Sequence, residues 1–129
     1  MDVETVRGWL ERLDYEVKDE GPKTTLRVFP RRPGNESLPP YFIQCSEHWL
    51  LLSLLPVLSS RIQPSPELPR RLLLLNRDMR IAKFALGGQG EVVLCAELPT
   101  ESLDFPEFAD ATERLVKYFH HYHDYLASP

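Results

Sequence analysis

Four consecutive leucines, Leu72 to Leu75, follow Pro69 and end on Asn76. At about 100° per residue, four adjacent side chains sweep roughly 300° of a helix surface. A helix lying on one sheet needs an apolar stripe of only about 100° upward. A helix over residues 67–75, stopped by Asn76, therefore carries more leucine than one packing face absorbs. Burying a leucine is worth about 1.5–3 kcal/mol, so leaving two in water is a sizeable loss. Either this helix is buried on several sides or a second polypeptide covers its outer face. The excess favours the second, with Leu68, Leu72, Leu73, Leu74 and Leu75 as a protein interface, joined by Trp49 and Leu51 of an equally apolar strand.

Proline punctuates the rest of the chain, at 12 of 129 residues where about 5% is usual. Val3, Val6, Leu10 and Leu13 recur at steps of three and four, which predicts an amphipathic helix over residues 2–13. Tyr15 and Val17 alternate with charges as the start of an edge strand would. Residues 24–29 and 41–45 are β-branched and aromatic and read as strands, with an exposed loop of Pro30 to Ser37 between them. Residues 49–57 are almost wholly apolar, and a strand without alternation is covered on both faces. One cover is helical; the other is read as a partner chain.

Residues 80–86 and 91–98 flank Gly87-Gly88-Gln89-Gly90 and predict a hairpin. Its inward candidates are Ile81 or Phe84, then Val93 and Cys95. The last helix has the cleanest pattern: Asp104 and Glu107 form a capping box, and Pro106 falls in the first turn, where its missing donor does no harm. Phe105, Phe108, Thr112, Leu115, Phe119, Tyr122 and Leu126 then make one apolar stripe. The order is helix, three strands, helix, two strands, helix. Short loops make consecutive strands antiparallel, so the predicted fold is α+β, a twisted antiparallel sheet with helices mainly on one face, in a single domain over residues 1–129.

Charge narrows the function classes. A formal net charge of −4 and a pI near 5.5 argue against nucleic acid and acidic membranes as partners. The opening residues carry acids and no unbroken apolar core, so they do not read as a signal peptide. The longest apolar run is about half of a bilayer span. Two cysteines are no disulfide scaffold; Cys45 and Cys95 read as reduced core residues in a cytoplasmic protein.

Catalytic constellations are thin. His120, His121 and His123 invite a metal, but no third and fourth ligand is marked elsewhere. Cys45 and His48 set a thiol near an imidazole without an orienting group or an oxyanion site. Gly87-Gly88-Gln89 matches the tripeptide of class I peptide release factors, yet lies between two strands of an acidic chain. It also lacks the Gly-Lys-Ser/Thr of a phosphate loop. Arg31-Arg32 and Arg70-Arg71 read as solvated pairs, the second free to meet acids nearby or on a partner. Asn35-Glu36-Ser37 is a glycosylation sequon, inert without secretion. The residues thus imply no enzyme, no metal and no cofactor. A small thiol- or metal-dependent hydrolase using Cys45 and His48 or the C-terminal histidines is the alternative.

The run Leu72 to Asn76, then Ile81 to Leu86, a glycine turn, Glu91 to Pro99, and the long closing helix from Phe105 resemble the YbjN-like family. That family shares its fold with class I chaperones of type III secretion. The resemblance implies a small non-enzymatic protein, often a homodimer, whose relatives hold an extended segment of another polypeptide. It also carries the label of a sensory transduction regulator for that branch, and brings no catalytic residues with it.

Overall fold

In a computed structural model, which describes residues 1–21, 24–30 and 33–129, the chain forms three helices and a six-stranded antiparallel sheet. The elements are α1 (Val3–Arg12), β1 (Tyr15–Asp19), β2 (Thr25–Pro30), β3 (Tyr41–Cys45), β4 (Trp49–Leu54), α2 (Leu68–Asp78), β5 (Ala82–Leu86), β6 (Val92–Pro99) and α3 (Phe105–Ala127). The sheet order is β1-β2-β3-β4-β6-β5. The expected fold class is observed, with one correction to the strand count. Residues 15–19 are a full strand, because Tyr15 and Val17 pack inward while Glu16 and Lys18 pair in register with β2. Four strands therefore precede α2, not three. The Arg31-Arg32 pair lies outside the described residues.

The helices share one face of the sheet. α1 lies on β1, α3 crosses β6 and β5, and α2 wedges between β5 and α3. Even-numbered Leu50, Leu52 and Leu54 of β4 point into this core, with Leu26, Val28, Tyr41 and Ile43 from β2 and β3. On β6 the inward set is Val92, Leu94, Ala96 and Leu98. That corrects the expected Val93 and Cys95. Phe84 faces in and Ile81 is exposed. The sequence misleads at this strand because β6 is apolar at both parities, so alternation cannot choose a side.

α3 starts as its sequence predicts. Asp104 accepts from the Glu107 N–H at 2.9 Å, and the Glu107 side chain accepts from the Asp104 N–H at 3.3 Å. Phe108, Thr112, Leu115, Phe119 and Leu126 are buried along its stripe, with Trp9 of α1 against the Phe108 ring at 5.2 Å. Thr112 satisfies its buried hydroxyl by donating to the Ala109 carbonyl at 2.9 Å. At the other end, Arg71 of α2 donates to the Tyr125 and Ser128 carbonyls at 3.0 and 2.8 Å. A cation at the carbonyl end of a helix is electrostatically favourable. Instead of the acid expected for it, Arg71 finds these carbonyls and ties α2 to the end of α3.

Tyr41 is the odd member of the core. Its side chain is fully buried, and its hydroxyl has no hydrogen-bond partner among the described residues. Burial pushes its ionisation well above the usual tyrosine range. An unsatisfied buried hydroxyl is a cost that an isosteric apolar ring avoids. Tyr41→Phe should therefore leave thermal stability unchanged or raise it by up to about 1 kcal/mol. A loss of similar size in a melting curve would show that the hydroxyl is bonded after all.

Candidate protein interface

The face of the sheet away from the helices carries no second layer among the described residues, and its side chains follow from the register. Arg27 of β2 stands opposite Phe42 of β3, Phe42 opposite Ser53 of β4, Ser53 opposite Cys95 of β6, and Cys95 opposite Lys83 of β5. The neighbouring row runs Thr25, Gln44, Leu51 and Glu97. Trp49 adds a half-exposed indole at the β4 end, 49% accessible. Phe29, Phe42 and Leu51 are each partly exposed. A cavity of about 480 Å³, lined by Gln44, Ser46, Trp49, Leu51 and Glu97 among others, opens beside the indole.

This surface explains the missing alternation of β4. Leu50, Leu52 and Leu54 serve the core, while Trp49, Leu51 and Ser53 look the other way. In the sequence, the neighbouring Phe29 and Phe42 stand out only as strand formers. Their position at the parity opposite the core is the signal that marks an apolar outer face.

The seven residues expected to form one interface fall in three places. Leu68 and Leu72 point into the subunit core. Trp49 and Leu51 sit on the open sheet face. Leu73 and Leu74 lie on the outside of α2, 71% and 38% accessible, with Leu75 partly buried. Leu86, at the end of the edge strand β5 against which α2 packs, is 61% accessible. The leucine belt is thus divided: one side packs the monomer and the other faces water. α2 also runs on to Asp78, past the expected stop at Asn76. Asn76 serves the neighbouring strand instead. Its amide accepts from the Phe84 N–H at 2.7 Å and donates to the Phe84 carbonyl at 2.9 Å.

The alternative chemistry does not assemble. Cys45 is buried on the core face and Cys95 on the opposite face, two strands away, so they cannot pair. Burial pushes both thiols up, which leaves them protonated and poor nucleophiles at neutral pH. His48 meets Glu47 at 3.7 Å, and no hydrogen bond joins it to Cys45 among the described residues. His120 bonds the Asn35 side chain and His123 bonds Asp124, each at 3.0 Å. No group of three metal-ligating side chains forms among the described residues. Gly87-Gly88-Gln89 is a tight turn, closed by the Gly87 N–H on the Glu91 carbonyl at 2.8 Å. No helix among the described residues is long and apolar enough to cross a membrane.

Comparison with known proteins fits this geometry. Residues 2–126 match the profile of the YbjN family, described as "Putative bacterial sensory transduction regulator". No curated protein sequence matches the chain. Among solved structures it is similar to YbjN from E. coli, with a TM-score of 0.67 at 18% identity, covering 100% of this chain and 97% of that one. It is also similar to a chain of the heterodimeric ExoU–SpcU complex from the type III secretion system of Pseudomonas aeruginosa. There the TM-score is 0.64 at 20% identity, covering 92% and 95% of the two chains. The HopA1–SchA chaperone–effector complex gives 0.63 at 14% identity, covering 91% and 88%. At such identities these likenesses establish the fold alone.

Proposed function

This chain belongs to the YbjN family, and from that premise we propose that it is a non-enzymatic, chaperone-like or regulatory module that holds a segment of another protein. The observation that carries this reading is the uncovered sheet face, which bears Phe29, Phe42, Leu51 and Trp49 on three strands, the last two lining a cavity. A surface of aromatic and aliphatic side chains rimmed by polar ones marks a protein contact more often than a catalytic pocket. The solved neighbours named as a heterodimeric complex and a chaperone–effector complex support the same reading. Direct selection tests it. Wild-type protein should enrich binders from a displayed random-peptide library, and a folded Trp49→Glu variant should not. Equal enrichment by both would remove the sheet face from the function.

We further propose a homodimer through the outer side of α2, where Leu73 and Leu74 are exposed. Burying exposed leucines favours association, and a two-fold dimer would bury the same patch on both subunits. Sedimentation should show wild-type dimers that dissociate on dilution and a Leu73→Glu variant that stays monomeric. Wild-type monomer at every concentration would end the dimer reading without touching the sheet face.

A further inference from the structure

We infer that the segment held on the open sheet face is acidic, with a carboxylate over the Lys18–Arg27 pair and a large apolar side chain in the Trp49–Leu51 groove. This rests on the protein-binding reading above. Lys18 and Arg27 stand directly opposite each other on β1 and β2, and like charges so placed repel. Neither has a carboxylate partner among the described residues. Both instead lie over the Phe29 ring, at 5.4 and 5.1 Å from its centroid, and Arg27 also reaches Phe42 at 5.9 Å. Arg27 Nε is buried without a hydrogen-bond acceptor among the described residues. A guanidinium cannot shed its charge to escape that position. An anion arriving there would supply the missing acceptor and relieve the repulsion, in a charge-assisted bond shielded by aromatic rings.

Strand spacing fixes the segment's pattern. Arg27 and Leu51 are two strands apart and offset by two residues in register. Strands lie about 4.8 Å apart and rise about 3.4 Å per residue, which puts these side chains roughly 12 Å from each other. An extended peptide covers that distance in about four residues, on one face of its backbone. The expected segment therefore carries Asp or Glu four positions from a bulky apolar residue. Glu97 on the far rim of the groove, paired with Lys83 at 3.7 Å, disfavours a carboxylate at the apolar end and so places the acid over Lys18 and Arg27. A polyanion is the weaker candidate for this face. Glu16 and Glu97 share it, and the chain is negative overall, whereas nucleic acid needs many neutralised phosphates.

The test starts from peptides selected from a displayed 12-residue random library on the wild-type chain. Their synthetic copies are titrated by fluorescence anisotropy against wild type, Arg27→Gln, Arg27→Lys and Lys18→Gln, each checked for an unchanged melting curve. The expected result is an acid spaced four from a large apolar residue. Affinity should fall at least tenfold on Arg27→Gln, less on Arg27→Lys, and tenfold when the peptide acid becomes its amide. The amide change should then matter little in the Arg27→Gln background. Peptides indifferent to their acids and to Arg27 would overturn the charge inference while leaving the binding reading standing. An empty selection would overturn both. Tighter binding of a 12-nucleotide oligothymidylate through the same two residues would replace the peptide with nucleic acid.

Discussion

Leu72→Ala is expected to cost about 2–5 kcal/mol of folding stability, the range for truncating a fully packed leucine. Leu73→Ala, the next residue in the same run, should leave the unfolding free energy within about 0.5 kcal/mol when measured in dilute solution. The chemistry of the two changes is identical. The difference lies in the helix: a rotation of about 100° takes the side chain from 6% accessible against β5 and α3 to 71% accessible on the outside. Urea denaturation of the two variants checks it. Concentration adds a second reading. An outer leucine buried only between subunits contributes stability that depends on protein concentration, because association is linked to folding. A Leu73→Ala loss as large as that of Leu72→Ala, and vanishing on dilution, would mean that association adds its stability to a chain that also folds alone. Equal losses at all concentrations would mean that α2 is rotated away from this orientation.

The contrast also marks how far the sequence can be read. Long periodic segments are legible: the α3 stripe from Phe108 to Leu126, with its Asp104 cap and Pro106, needs no tertiary information. The leucine excess in α2 is legible as a quantity but not as a direction, since four neighbours in a row leave the phase of the helix undefined. The open sheet face is legible only in part. β4 announces a second apolar side, yet whether α2 or a foreign chain covers it depends on the strand order β4-β6-β5, which puts α2 on the other face two strands away. Lys18 and Arg27 lie nine residues apart in sequence and look ordinary there; only the β1–β2 register makes them face each other. Pairing across strands is set by the whole sheet, and no local pattern reports it.

Asn76 is where local reading and tertiary role diverge furthest, and its substitution carries the second large effect. Asparagine is a weak helix former that favours helix ends, so on propensity it reads as a stop. In the structure it sits inside α2 and presents its amide to the edge strand as another strand's backbone would, accepting from the Phe84 N–H and donating to its carbonyl. β5 has β6 on one side only, so Phe84 would otherwise expose both groups. Asn76→Ala should leave two part-buried groups unpaired, at about 1–3 kcal/mol each before water compensates. A net loss of about 2–4 kcal/mol is expected. Asn76→Asp can accept but not donate, and it turns a carboxylate oxygen toward the Phe84 carbonyl near the helix C-terminus, so it should lose at least as much. The stability change alone could come from any damaged helix, so the decisive readout is hydrogen exchange at the Phe84 amide. It should be protected in wild type and in Asn76→Asp, and fast in Asn76→Ala. Opening that edge also uncovers a template for intermolecular pairing, so the alanine variant should aggregate more readily at equal fractions unfolded. Unchanged Phe84 protection in Asn76→Ala would show that α2 shields the edge by packing, with the amide incidental.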